Sequence, residues 1–107
     1  MSPEISIHKV VNVIFHARKA HLSRELRGFI DALNDDEKAH LVAIAWIGRG
    51  AFEADDYDNA VRTALAEATV PTADYLMGMP HLSGNLEAGL EALGYDVTEV
   101  EEDFFDR

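Results

Sequence analysis

The chain is 107 residues long, 48% apolar and 27% charged, which suits one compact domain with a full core and is too short for two. It contains no cysteine, so disulfides, thiolate metal sites and cysteine nucleophiles are excluded together. A formal net charge of −11 disfavours an ordinary grip on nucleic-acid phosphates.

The periodicity is helical almost throughout. Ile7, Val10, Val11, Ile14 and Phe15 recur at the spacing of one helical face, and Leu22, Leu26, Phe29, Ile30 and Leu33 repeat the pattern. Ser23 is a fit cap for a new start, yet nothing between His16 and Arg27 strictly breaks a helix, so two helices and one bent helix are both open. Asn34-Asp35-Asp36-Glu37 is the clearest start signal: Asn with Glu three residues on makes a capping box, and the acids suit the positive end of the helix dipole. Leu41 to Ile47 is apolar on every face, which predicts a helix surrounded by others at the centre of a bundle. Gly48-Arg49-Gly50 stops it, since glycine tolerates the left-handed conformation of a helix C-terminus.

Asp55 or Asp56 opens the next helix, with a predicted buried stripe of Tyr57, Ala60, Val61, Ala64, Leu65 and Ala68. Pro71 ends it, and Thr72 is expected to cap a short turn carrying Tyr75 and Leu76. After Gly78-Met79, Pro80 is placed as the first residue of a final helix with an inner face of Leu82, Leu86, Leu90 and Leu93. Gly94 stops that helix, and Tyr95 is the apolar residue that folds back over such a cap. Only Tyr95 to Val100 shows any β alternation. The expectation is an all-α protein: a compact bundle of five or six short helices around a central apolar helix. Residues 1–95 form the single helical domain and residues 96–107 a flexible acidic C-terminal tail that also carries Phe104 and Phe105.

The charge is unevenly spread. Residues 1–27 hold Lys9, Arg18, Lys19, Arg24 and Arg27 against Glu4 and Glu25, while the rest of the chain carries a large acidic excess. Complementary halves of this kind suit self-association or a basic partner. No apolar run approaches the roughly 18 residues of a membrane span. Met1-Ser2-Pro3-Glu4 has neither the basic head nor the apolar run of a secretory signal, so a cytoplasmic protein is expected.

Two stretches together resemble a known family. Phe29-Ile30-Asp31-Ala32-Leu33-Asn34-Asp35-Asp36-Glu37 with Leu41 to Gly50 is similar to the centre of a bacterial family of short proteins, domain of unknown function 3775. Thr72-Ala73-Asp74-Tyr75-Leu76-Met77-Gly78-Met79-Pro80-His81-Leu82, followed by Leu86-Glu87-Ala88-Gly89-Leu90, resembles its second signature. The likeness covers most of residues 5–96. The polar insert that the family often carries between its first two helices is nearly absent here. Met79 and His81 stand where a small polar and an aliphatic residue are expected. The resemblance implies a small helical fold and assigns no activity.

Chemistry-bearing patterns are sparse. Glu37-x-x-His40 puts a carboxylate and an imidazole on one helical face, as in di-iron bundles, but such a site needs a second pair and the sequence has none. His8, His16, His21 and His81 show no ligand spacing, and Glu37 already serves as a cap, so no metal or cofactor is expected. Ser2, Ser6, Ser23 and Ser83 lie in no nucleophile elbow, and no catalytic residue is assigned. Arg49, between two glycines at the end of the apolar helix and close to Trp46, reads first as a cation at the negative helix end. Its functional reading is an anion anchor, with Tyr75 and His81 across a groove. Trp46, Arg49, Tyr75 and His81 are therefore the candidate ligand- or partner-binding residues. The leading expectation is a non-catalytic protein-interaction or regulatory module, possibly homo-oligomeric, with no nucleic-acid or membrane partner. The alternatives are a small-ligand-binding or catalytic protein using the Arg49/Tyr75/His81 region, and an acidic inhibitor that mimics DNA.

Overall fold

The computed structural model describes residues 3–68 and 70–96, and it is all-α. Helix α1 (Ile7–Ala17) starts where the Ser6 hydroxyl accepts the His8 N–H at 3.2 Å, and it buries Val10, Val11, Val13 and Ile14. A 3₁₀ turn at Ala20–Leu22 then separates it from α2 (Ser23–Asp31), which settles the open choice in favour of two helices. Ser23 is the first helical residue rather than the cap; Leu22 takes that place and offers no side-chain bond. Leu26 and Ile30 are the residues α2 buries.

Helix α3 (Asp35–Arg49) begins with the capping box read from the sequence. The Asn34 side chain accepts the Glu37 N–H at 2.8 Å, and the Glu37 carboxylate accepts the Asn34 N–H at 3.0 Å. Lys9 reaches across from α1 to the same carboxylate at 2.5 Å. Every residue from Ala39 to Ile47 is buried, so α3 is the axis of the bundle. Complete burial of side chains such as Leu41 and Ile44 contributes about 1.5–3 kcal/mol each. Gly50, at φ 88°, ends the helix, its N–H donating to the Ile47 carbonyl while the Ala51 N–H reaches back to Trp46.

A second 3₁₀ turn (Ala54–Asp56) leads into α4 (Tyr57–Ala66), followed by α5 (Thr72–Met77) and α6 (Leu82–Ala92). Helices α4 and α6 both pack on α3, α1 lies against α6 and α2, and α2 reaches α5. The α3–α6 crossing is tight because glycine faces backbone on both sides. A Cβ on Gly48 would lie 2.8 Å from the Gly89 nitrogen, and one on Gly89 would lie 2.9 Å from the Ile44 carbonyl carbon. The inner leucines Leu82, Leu86 and Leu90 are buried against this seam, and Leu93 is partly so.

Three local expectations are corrected. Pro71, not Thr72, occupies the cap position of α5, and Thr72 is its first helical residue. Pro80 does not start α6: His81 follows it with φ 58°, and that left-handed residue delays the helix to Leu82. Within α4 the stripe Tyr57, Ala60, Val61 and Ala64 is buried, but Leu65 is 47% exposed and Ala68 is exposed as well. After α6, Gly94 and Tyr95 form the expected cap, with Tyr95 packed on the core and its N–H donating to the Leu90 carbonyl at 3.0 Å. The acidic tail expected from Asp96 onward lies, apart from Asp96, outside the described residues. Among the described residues no helix is long and apolar enough to cross a membrane.

Candidate functional site

On α3 the residues Asp35, Lys38, Ala39, Val42 and Trp46 fall at the spacing that brings side chains onto one helical face. That face is the floor of a groove of about 480 Å³. Ala64 and Leu65 near the end of α4 form one wall, Thr72 and Tyr75 of α5 the other, and Glu67, Ala68 and Val70 close the end between them. The groove lies where α4 has ended at Ala66 and α5 has not begun before Thr72, and its apolar floor residues Ala39, Val42 and Trp46 are themselves buried.

The aromatic end is built from Trp46 and Tyr75. The Trp46 indole N–H donates to the Tyr75 hydroxyl at 2.8 Å, with the rings edge to face at 6.4 Å between centroids. Phe52, which does not line the groove, stacks on Trp46 with ring centroids 5.6 Å apart and planes 26° apart. The hydrogen bond satisfies the one polar atom of a side chain only 8% exposed, and it ties α5 to α3. Farther along, Leu65 and Val70 stand 47% and 55% exposed at the rim, together with the charged Asp35, Lys38 and Glu67. The lining thus offers apolar surface, a rigid aromatic wall and charges at the edge.

The four residues singled out from the sequence are distributed over three places. Trp46 and Tyr75 meet in this groove. Arg49 is exposed in the last turn of α3, where its charge suits the negative helix end, and it does not line the groove. His81 borders a smaller cavity of about 260 Å³ with His16, Lys19, Met77 and Met79. The sequence reading missed Leu65, which it assigned to the core, and Val70. No local pattern marks either one, since their exposure depends on where α4 and α5 diverge.

The reading also missed a polar cluster in the core. Glu37 and His40 engage different partners: the Glu37 carboxylate is bound by Lys9 and Asn34, which hold its pKa below the usual value. His40 is 2% exposed, and its Nδ1 lies 2.6 Å from the Tyr57 hydroxyl and 3.2 Å from the Glu4 backbone N–H. A backbone N–H can only donate, so Nδ1 is the acceptor and the neutral ring carries its proton on Nε2, which faces the Glu4 carboxylate at 3.7 Å. Burial pushes the His40 pKa down against the opposing pull of Glu4, Asp36 and Asp58. Burial likewise pushes the Tyr57 phenol well above its ordinary value. Glu4 and Tyr57 are 36 and 17 residues from His40, a separation that no sequence spacing signals.

No curated protein and no solved structure matches the chain. A family model described as "Protein of unknown function (DUF3775)" matches residues 23–95, the span of α2 to α6 with both stretches that carried the resemblance, and the chain belongs to this family.

Proposed function

We propose that this protein is a non-catalytic binding module of the bacterial cytoplasm whose groove between α4 and α5 receives a short amphipathic helix of a partner protein, apolar on one face and basic at its edges. The observation that carries this reading is the position of Leu65 and Val70. Both are large, exposed hydrophobic residues, and both lie on the rim of the same aromatic-walled groove. The floor from Asp35 to Trp46 is about 16 Å long at 1.5 Å per residue, the length of about three helical turns. Helices dock in such grooves through apolar anchors spaced one turn apart. The basic edge follows from charge: Asp35 and Glu67 outnumber Lys38 around the lining, and the whole chain carries −11.

Trp46 is the single tryptophan and forms part of the groove, so its fluorescence reports occupancy. The test is titration with a helical leucine–lysine peptide of about three turns, beside a leucine–glutamate peptide of the same apolar pattern. Saturable binding of the lysine peptide, in the micromolar range, is expected. It should be weakened at least tenfold in Leu65→Ser and Val70→Ser, and the glutamate peptide should bind far less. Equal binding to wild type and both variants would refute the groove. Equal binding of the two peptides would refute the basic edge. Sedimentation of the protein alone as a dimer that Leu65→Ser dissociates would make a second copy the occupant and overturn the partner reading.

A further inference from the structure

Just ahead of α1, Glu4 and Ile5 meet the core. Ile5 is 2% exposed, and beside it the Glu4 N–H donates to the Nδ1 of His40, which projects from the fully buried stretch of α3. The Tyr57 hydroxyl, at the start of α4, lies 2.6 Å from the same nitrogen, and with the ring proton on Nε2 it can only donate to it. One lone pair therefore serves two donors, and both depend on the ring being neutral.

We propose that His40 is a proton-operated latch: neutral, it holds the Glu4–Ile5 segment against α3 and α4, and protonated, it releases that segment. The two donors respond unequally to a proton on Nδ1. The Tyr57 hydroxyl can rotate and accept from the new N–H, because a phenol both donates and accepts. The Glu4 backbone N–H has no such option and is left facing another N–H. Protonation thus keeps the α3–α4 contact and breaks the contact to the N-terminal segment. Loss of the Glu4 bond frees the stretch that leads into the Ser6 cap, so the start of α1 loosens with it.

The groups facing the ring set the balance. Glu4 comes from the segment itself, Asp36 from α3 and Asp58 from α4, and all three favour the charged ring. Burial outweighs them and holds the His40 pKa below its ordinary value. The Glu4 carboxylate, 3.7 Å from Nε2, attracts the charged ring, but with its side chain 64% exposed that attraction is screened by water. The latch is independent of the groove and stands whether or not a helix docks there.

The experiment is NMR on the full chain between pH 7.5 and 4.5. Long-range ¹H–¹⁵N spectra of the imidazole read its tautomer, and amide exchange of Glu4 and Ile5, corrected for the intrinsic pH dependence, reads the latch. The expected result is a neutral ring with its proton on Nε2 at pH 7.5. Protection at Glu4 should then fall tenfold or more as the ring titrates, while Ile44 and Leu90 keep theirs. In His40→Gln the corrected Glu4 protection should no longer depend on pH; if that variant does not fold, the wild-type titration decides alone. A ring protonated on Nδ1 at pH 7.5 would overturn the latch. So would Glu4 protection that ignores the titration, or a ring that stays neutral until the whole chain unfolds.

Discussion

Gly89→Ala adds one methyl group at the α3–α6 crossing, and the structure gives its effect a sign and a size. The new Cβ would stand 2.9 Å from both the carbonyl carbon and the Cγ2 of Ile44, and closer still to the carbonyl oxygen. Carbon atoms pack best about 3.5–4.0 Å apart, so α6 must withdraw from α3 by about 1 Å. A gap of that width forfeits about a quarter to a half of the attraction between facing atoms. The leucines behind the seam, Leu82, Leu86 and Leu90, are buried at about 1.5–3 kcal/mol each, so a quarter of their combined contribution is about 1–2 kcal/mol. Overpacking strain adds about 1–3 kcal/mol, and the better helix propensity of alanine returns up to about 1 kcal/mol. The net loss is about 1–5 kcal/mol, a lowering of Tm by roughly 4–8 °C for each kcal/mol in a domain of this size. Gly84 on the same helix is the control, because a Cβ there meets nothing within 4 Å. Gly84→Ala should therefore stabilise by up to about 1 kcal/mol. Urea and thermal unfolding followed by circular dichroism measure both. The close-crossing account is refuted if Gly89→Ala is as stable as wild type, or if the two substitutions shift stability in the same direction by the same amount.

Other consequences follow from single contacts. Tyr75→Phe leaves the Trp46 indole N–H without its acceptor and should cost about 1–3 kcal/mol in urea unfolding, with a shift in Trp46 emission. Asn34→Ala removes the accepting half of the α3 capping box and should cost about 1 kcal/mol by the same measurement, with the fold retained. The depressed His40 pKa means that the unfolded chain binds this proton more readily than the folded one. Its stabilising contribution is complete above the ordinary histidine value of about 6.5 and is lost as the pH falls through the lower folded-state value. Wild type should lose more stability than His40→Gln between pH 7 and 5 in urea unfolding, and parallel profiles would contradict the assignment.

The legible part of the fold was the part fixed by neighbouring residues. The α3 capping box needs only Asn34 and Glu37 three residues apart, and the left-handed stops at Gly50 and Gly94 need only a glycine after an apolar run. The central place of α3 followed from a run that is apolar on every face, since such a helix has no side to give to water. Pro80 misled because its fixed φ suits a first helical turn equally well wherever the chain then goes; the left-handed His81 decided the start. The His40 cluster was illegible for a different reason. Its three members come from the N-terminal segment, α3 and α4, and they meet only after those elements have packed.

Leu65 carries the same reasoning into function. By helical spacing it belongs beside Val61 and Ala64, and periodicity alone assigns it to the core. In the fold it is 47% exposed, one residue before α4 ends at Ala66 and ahead of the start of α5 at Thr72. An apolar residue that obeys the core pattern and still faces solvent marks a place where the chain's own packing stops short. Here Val70 accompanies it on a rim whose wall is held rigid by the Trp46–Tyr75 hydrogen bond. A lone exposed leucine would be ordinary. Two large apolar side chains on one rigid groove are the arrangement a docking helix uses, since a fixed surface loses little freedom when the helix binds. The mismatch between pattern and burial at Leu65 is thus the observation on which the proposed docking groove rests, and it becomes visible only when sequence and structure are compared residue by residue.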